Sequence, residues 1–221
     1  MRAATERVFA DRGEAGRLLA GELGKYAGRE DVVVLGLPRG GVPVAAEVAR
    51  VLRLPLDVLI VRKLGAPGQE ELAIGAIGEG GVRVLNEGLV RSLMIDEPEI
   101  ERLAAVEEKE LRRRVAAYRG RHEALALADK VVIVVDDGVA TGATMRAGLQ
   151  AVRAMGAAKV VAAAPVGAVD SVALLAQDAD EVVVLETPQW FSAVGQWYEN
   201  FGQTTDDEVR EILAASRKEE R

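Results

Sequence analysis

Val131-Val132-Ile133-Val134-Val135-Asp136-Asp137-Gly138-Val139-Ala140-Thr141-Gly142-Ala143-Thr144-Met145 joins a β-branched run, two adjacent carboxylates and a loop of small residues. The run Val131–Val135 predicts a strand buried on both faces, as in a parallel sheet. Asp136 and Asp137 then fall at its carboxyl end, the edge where open α/β sheets bind ligands. Gly138, Val139, Ala140, Thr141, Gly142, Ala143 and Thr144 let successive backbone N–H groups converge on one anion. A helix expected over Met145–Met155, with Thr144 as its N-cap, would add its positive end to that cradle. No lysine follows the glycines, so this is not a Walker loop.

Outward from this element, short β-branched runs alternate with longer amphipathic ones, which predicts an α/β fold with a parallel sheet. Upstream, helices are expected over Glu14–Ala27 and Val42–Leu52 and strands over Asp31–Leu35 and Leu56–Val61. Pro38-Arg39-Gly40-Gly41 forms a turn, Gly65–Glu71 reads as a loop, and weaker strands follow near Leu72–Ile77 and Val82–Leu85. Asp96-Glu97-Pro98 is a helix start, with periodic apolar residues out to about Tyr118. Downstream come strands at Lys159–Ala163 and Glu181–Leu185, a helix near Ser171–Ala176, and another over Asp206–Ala215. The reading is one domain over residues 1–221, with a helical insertion over about 86–128 and a C-terminal segment over about 187–221.

The 221 residues carry a net charge of −7, no cysteine and one histidine, His122. Disulfides and thiolate metal sites are thereby excluded, and the acidic balance argues against a nucleic-acid surface. Without an apolar run long enough to span a bilayer or a signal-peptide core, a cytoplasmic protein with no membrane partner is expected.

Two carboxylates beside a phosphate cradle would repel a triphosphate, but they accept hydrogen bonds from both hydroxyls of a sugar diol. Ribose 5-phosphate meets both demands, and each charge-assisted bond contributes about 1.5–3 kcal/mol.

The fifteen-residue element resembles the phosphoribosyl pyrophosphate (PRPP) motif of type I phosphoribosyltransferases. The whole chain is similar to a group of bacterial phosphoribosyltransferases of unassigned acceptor. The resemblance implies a Rossmann-like parallel sheet flanked by helices with a small hood, and transfer of ribose 5-phosphate to a nucleobase-like acceptor with release of pyrophosphate, as in nucleotide salvage. It assigns the ribose hydroxyls to Asp136 and Asp137 and the 5′-phosphate to Gly138–Thr144. Pyrophosphate falls to Pro38, Arg39, Gly40 and Gly41, with a cis peptide before Arg39. A mobile loop after the second strand is expected to close over PRPP, bringing Arg62 or Lys63 to the pyrophosphate as catalytic groups. Glu70 or Glu71 is a candidate for proton transfer. Mg²⁺ is implied as a cofactor arriving on PRPP, with no dedicated metal site, and a homodimer is a further expectation.

Five of the eight aromatics crowd into Trp190, Phe191, Trp197, Tyr198 and Phe201. Pro188-Gln189-Trp190-Phe191 loosely resembles a segment of hypoxanthine-guanine enzymes, which makes Trp190 and Phe191 the expected platform for a heterocyclic acceptor. Ala140 departs from those enzymes, which carry an aspartate there, and brings the loop closer to adenine phosphoribosyltransferases. The acceptor stays open between them. The alternative is a regulatory protein of this fold that binds PRPP without transferring it.

Overall fold

A computed structural model describes residues 7–120 and 122–219. Its first elements are α1 (Arg12–Glu22), β1 (Val32–Gly36), α2 (Gly41–Leu52) and β2 (Leu56–Val58). Next come β3 (Val61–Ala66), β4 (Gln69–Gly78), β5 (Arg83–Leu85), α3 (Glu87–Ser92) and α4 (Glu97–Arg119). The chain continues through β6 (Val131–Val135), α5 (Ala143–Ala154), β7 (Lys159–Val166), α6 (Val169–Leu175), β8 (Glu181–Glu186) and α7 (Asp206–Glu219).

Five parallel strands form the main sheet in the order β2-β1-β6-β7-β8. The five residues of β6 are all buried and their side chains alternate between two cores. Val131, Ile133 and Val135 join residues of α1, α2, α4 and α7, such as Leu19, Val48, Leu111 and Val209. Val132 and Val134 face the opposite layer with Met145, Leu149 and Val152 of α5. The period of two along a strand thus makes one unbroken apolar run serve both faces of the sheet. The expected parallel sheet flanked by helices is present.

The second strand departs from expectation. Main-sheet pairing ends at Val58, and Val61 begins a separate antiparallel sheet in the order β3-β4-β5. Arg62 and Lys63 therefore lie within β3 of this small sheet rather than at the end of a main-sheet strand. The expected loop Gly65–Glu71 is mostly strand, turned at Pro67-Gly68 between the paired Ala66 and Gln69. Gly68 has φ +72, which glycine adopts at no steric cost. The side chains of Glu70 and Glu71, the candidates for proton transfer, lie outside the described residues.

The first helix ends at Glu22, short of the expected Ala27, and a 3₁₀ turn over Gly24–Tyr26 completes the segment. Residues 86–128 hold α3 and α4, and α4 packs on β3 and α7. The segment after β8 doubles back on the chain start: Phe9 N–H donates to Trp197 O at 2.8 Å and Glu199 N–H to Phe9 O at 2.8 Å.

Candidate active site

β1 continues through α2 to β2 on one side, whereas β6 continues through α5 to β7 on the other. The loops leaving the adjacent carboxyl ends of β1 and β6 therefore diverge and leave a crevice, the usual ligand position in open sheets. One loop is Leu37–Gly40 and the other is Asp136–Gly142. They touch. A Cβ on Gly40 would overlap the carboxylate of Asp137, and one on Gly41 would lie 2.6 Å from Val135 O and 2.8 Å from Asp136 Cα. Only glycine permits this approach. The Pro38–Arg39 peptide is cis, as expected.

In the acidic loop, Asp137 N–H donates to Asp136 Oδ1 at 2.9 Å. Arg12, from the first turn of α1, donates through Nε to Asp137 Oδ2 at 2.9 Å, and its Nη2 lies 2.8 Å from the same oxygen. Tyr198 OH donates to Asp137 O at 2.6 Å. Burial, and then the negative charge of Asp137, push the Asp136 carboxyl well above the usual aspartate range. Burial and the nearby Asp137 also raise the Tyr198 phenol, so it stays a protonated donor.

The helix cap is not Thr144. Gly142, at φ +74, occupies the N-cap of α5 without a capping side chain, and Thr144 is the helix's second residue. Main-chain N–H groups of the first turn lack intrahelical acceptors; Ala143 N–H makes a 3.4 Å contact with Thr141 Oγ1. Val139 plays a different part, since its N–H donates to Val166 O at 2.9 Å and its side chain is buried. It anchors the loop to β7 rather than adding an amide to an anion cradle. Ala140 O accepts from Ser171 Oγ at 2.6 Å, a second anchor.

A pocket of about 200 Å³ lies between the Leu37–Gly40 loop and the first turn of α5, lined by Pro38, Thr144, Arg62 and Lys63 together with Arg114 of α4. Arg39 turns toward α7, with Nη1 3.6 Å from Asp206 Oδ1. Asp206 Oδ1 also accepts from Tyr118 OH at 2.7 Å.

The aromatic segment divides. Trp197 and Tyr198 are buried in a cluster with Phe9, and Phe191 packs against it. Trp190 stands at the surface, 84 % exposed, and makes no ring contact with the other aromatics among the described residues. Phe201 stacks on Tyr198 with ring centroids 5.1 Å apart, and the Arg12 guanidinium lies 4.0 Å from the Phe201 centroid. Arg12, Tyr198 and Phe201 thus build one wall beside the acid pair, and nothing local in the sequence singles out Arg12 or assigns the wall to Tyr198 and Phe201.

Taken together, the crevice offers carboxylate acceptors, main-chain donors at a helix start and a cationic pocket within one span. Among the described residues, no three His, Cys, Asp or Glu side chains cluster as metal ligands, and no helix is long and apolar enough to cross a membrane.

Comparison with known proteins agrees with this architecture. The family described as phosphoribosyl transferase domain matches residues 11–201. Two Mycobacterium tuberculosis proteins, from strains CDC 1551 / Oshkosh and ATCC 25618 / H37Rv and provisionally named phosphoribosyl transferases, are each 53% identical over 213 residues. That alignment covers 96% of this chain and 48% of each relative, so the chain spans about half their length. The crystal structure of TT1426 from Thermus thermophilus superposes with a TM-score of 0.87 at 48% identity, covering 94% of this chain and 98% of that one. The chain belongs to the phosphoribosyl transferase domain family.

Proposed function

We propose that the protein binds PRPP in the crevice and transfers its ribose 5-phosphate to a planar heterocyclic acceptor, releasing pyrophosphate. The observation that carries this reading is the contact of Gly40 and Gly41 with the acid pair. Because the same loop contributes Pro38 to the cation-lined pocket, this contact supports a diol acceptor and a pyrophosphate site at C2, C3 and C1 of one ribose. Asp136 and Asp137 accept the ribose hydroxyls, while amides of Gly138 and of the 140–144 stretch that enters α5 take the 5′-phosphate. The Pro38–Gly41 loop, Arg62 and Lys63 face the pyrophosphate.

Mg²⁺ carried on PRPP would take few protein ligands and keep waters and phosphate oxygens; Asp136 and Asp137 are the crevice carboxylates it could approach, and it would neutralise charge on the pyrophosphate. The residues themselves contribute mainly by positioning C1 and stabilising charge on the departing group. Trp190 or Phe191 stacks on the acceptor in this reading; the exposure of Trp190 supports a free ring face.

Pyrophosphate release from PRPP, screened across purines, pyrimidines and related heterocycles, tests the proposal. Asp136→Asn/Asp137→Asn is expected to keep its fold and lose PRPP affinity by about 100-fold or more in calorimetry. Unchanged affinity in that variant would refute the site. PRPP binding with no turnover on any acceptor would point instead to a regulatory protein.

A further inference from the structure

We propose that Arg114 of α4 is a third cationic ligand for the pyrophosphate group of PRPP, beside Arg62 and Lys63. This rests on the PRPP reading above and extends it to a helix outside the two phosphate loops. The 200 Å³ pocket touches the Leu37–Gly40 loop at Pro38 and the first turn of α5 at Thr144, and the charged residues lining it are Arg62, Lys63 and Arg114. Charged lining residues of one sign, all cations, stand out in a chain of net charge −7.

α4 fixes two of these cations. Glu107 Oε2 accepts from Arg62 Nε at 2.6 Å, and Glu110 Oε1 accepts from Arg114 Nε at 2.9 Å. Glu107, Glu110 and Arg114 are spaced by three and four residues, so they share one face of the helix. A guanidinium tied through Nε retains two terminal nitrogens in a fixed plane, the geometry that takes phosphate oxygens in a bidentate manner. Tyr118, one turn beyond Arg114, connects this face to the Pro38–Gly41 loop. Its hydroxyl donates to Asp206, which also pairs with Arg39, and the charges of both Arg114 and Arg39 reach it. Arg114 therefore approaches the Pro38–Gly41 loop from the helical side.

Calorimetric titrations with Mg²⁺-pyrophosphate and with ribose 5-phosphate test the assignment in wild type, Arg114→Ala, Arg114→Gln and Arg114→Lys. Arg114→Ala and Arg114→Gln are expected to weaken pyrophosphate binding roughly 10- to 100-fold and leave ribose 5-phosphate within about twofold. Arg114→Lys, which keeps the charge but loses the fork, should recover part of the loss. Arg114→Gln keeps much of the alkyl stem and so remains informative if alanine loosens α4. Wild-type pyrophosphate affinity in both neutral variants, or equal losses for both ligands, would overturn the role of Arg114. Wild-type protein that binds ribose 5-phosphate but not pyrophosphate would also overturn it. If wild type binds neither ligand, the PRPP reading itself falls.

Discussion

Asp136 holds a proton more tightly than an ordinary aspartate because it is buried beside a second carboxylate, and Arg12 only partly offsets that charge. Carboxyl ¹³C NMR should place its midpoint above the usual aspartate range. Asp137→Asn is expected to lower the midpoint by removing a like charge, and Arg12→Ala to raise it by removing the compensating cation. No movement in either variant would mean that burial alone sets the proton affinity. The sign for folding follows. A raised native pKa adds stability below the ordinary aspartate pKa, and that contribution is lost as pH rises through the raised value. The acid pair is legible in the sequence because strand, acids and glycines are consecutive. Arg12 and Tyr198 are not legible as partners, since they lie 125 and 61 residues from Asp137 and meet it only through the fold.

Two neighbouring glycines at the start of α2 should behave differently. A methyl group on Gly40 meets the end of the Asp137 side chain, whereas one on Gly41 meets backbone atoms of Val135 and Asp136. Gly40→Ala is expected to fold with nearly wild-type Tm while losing PRPP affinity by at least about tenfold, because Asp137 must swing aside. Gly41→Ala should instead lower Tm, since two backbones cannot both yield. Comparable Tm for the two variants would contradict this contrast. Elements with a single periodicity are readable: β1, β6 and α2 lie within a residue or so of their expected bounds. The β3–β4 hairpin is not, because Pro67, Gly68 and the adjoining Glu70-Glu71 look like a loop. The buried Leu64, Ala66, Ile74 and Ile77 mark the inward face. The shift of Arg62 and Lys63 into the small sheet has the same origin, since strand pairing changes between Val58 and Val61 without any break in apolar character.

At the scale of the molecule, α4 and α7 join the small sheet and the main sheet behind the crevice. α7 lies beyond the matched residues 11–201, yet it supplies Asp206 to Arg39 and places Arg217 Nη2 3.6 Å from Asp57. The junction centres on Arg119, with its side chain 5 % exposed, at the end of α4. Its Nε donates to Asp57 of β2 at 3.2 Å and its Nη2 to Val58 O at 3.0 Å, while Nη1 pairs with Glu79 just past β4. Nothing in the sequence separates Arg119 from the other charges of the helix, because its two acids are 62 and 40 residues away. Removing one partner of a buried ionic group typically costs about 3–5 kcal/mol, since the remaining charge is left in a poorly solvated site. Asp57 would still hold the N–H groups of Val58 at 2.8 Å and Leu125 at 3.3 Å, with Arg217 close by. The lower end of that range, about 3 kcal/mol, is therefore expected for Arg119→Met. For a chain of this size the corresponding fall in Tm is roughly 6–12 °C. The same substitution made in an Asp57→Asn/Glu79→Gln background should cost much less, because the stranded charges are gone. An equal loss in both backgrounds would show that packing of the arginine stem, rather than charge compensation between the two sheets, holds this junction together.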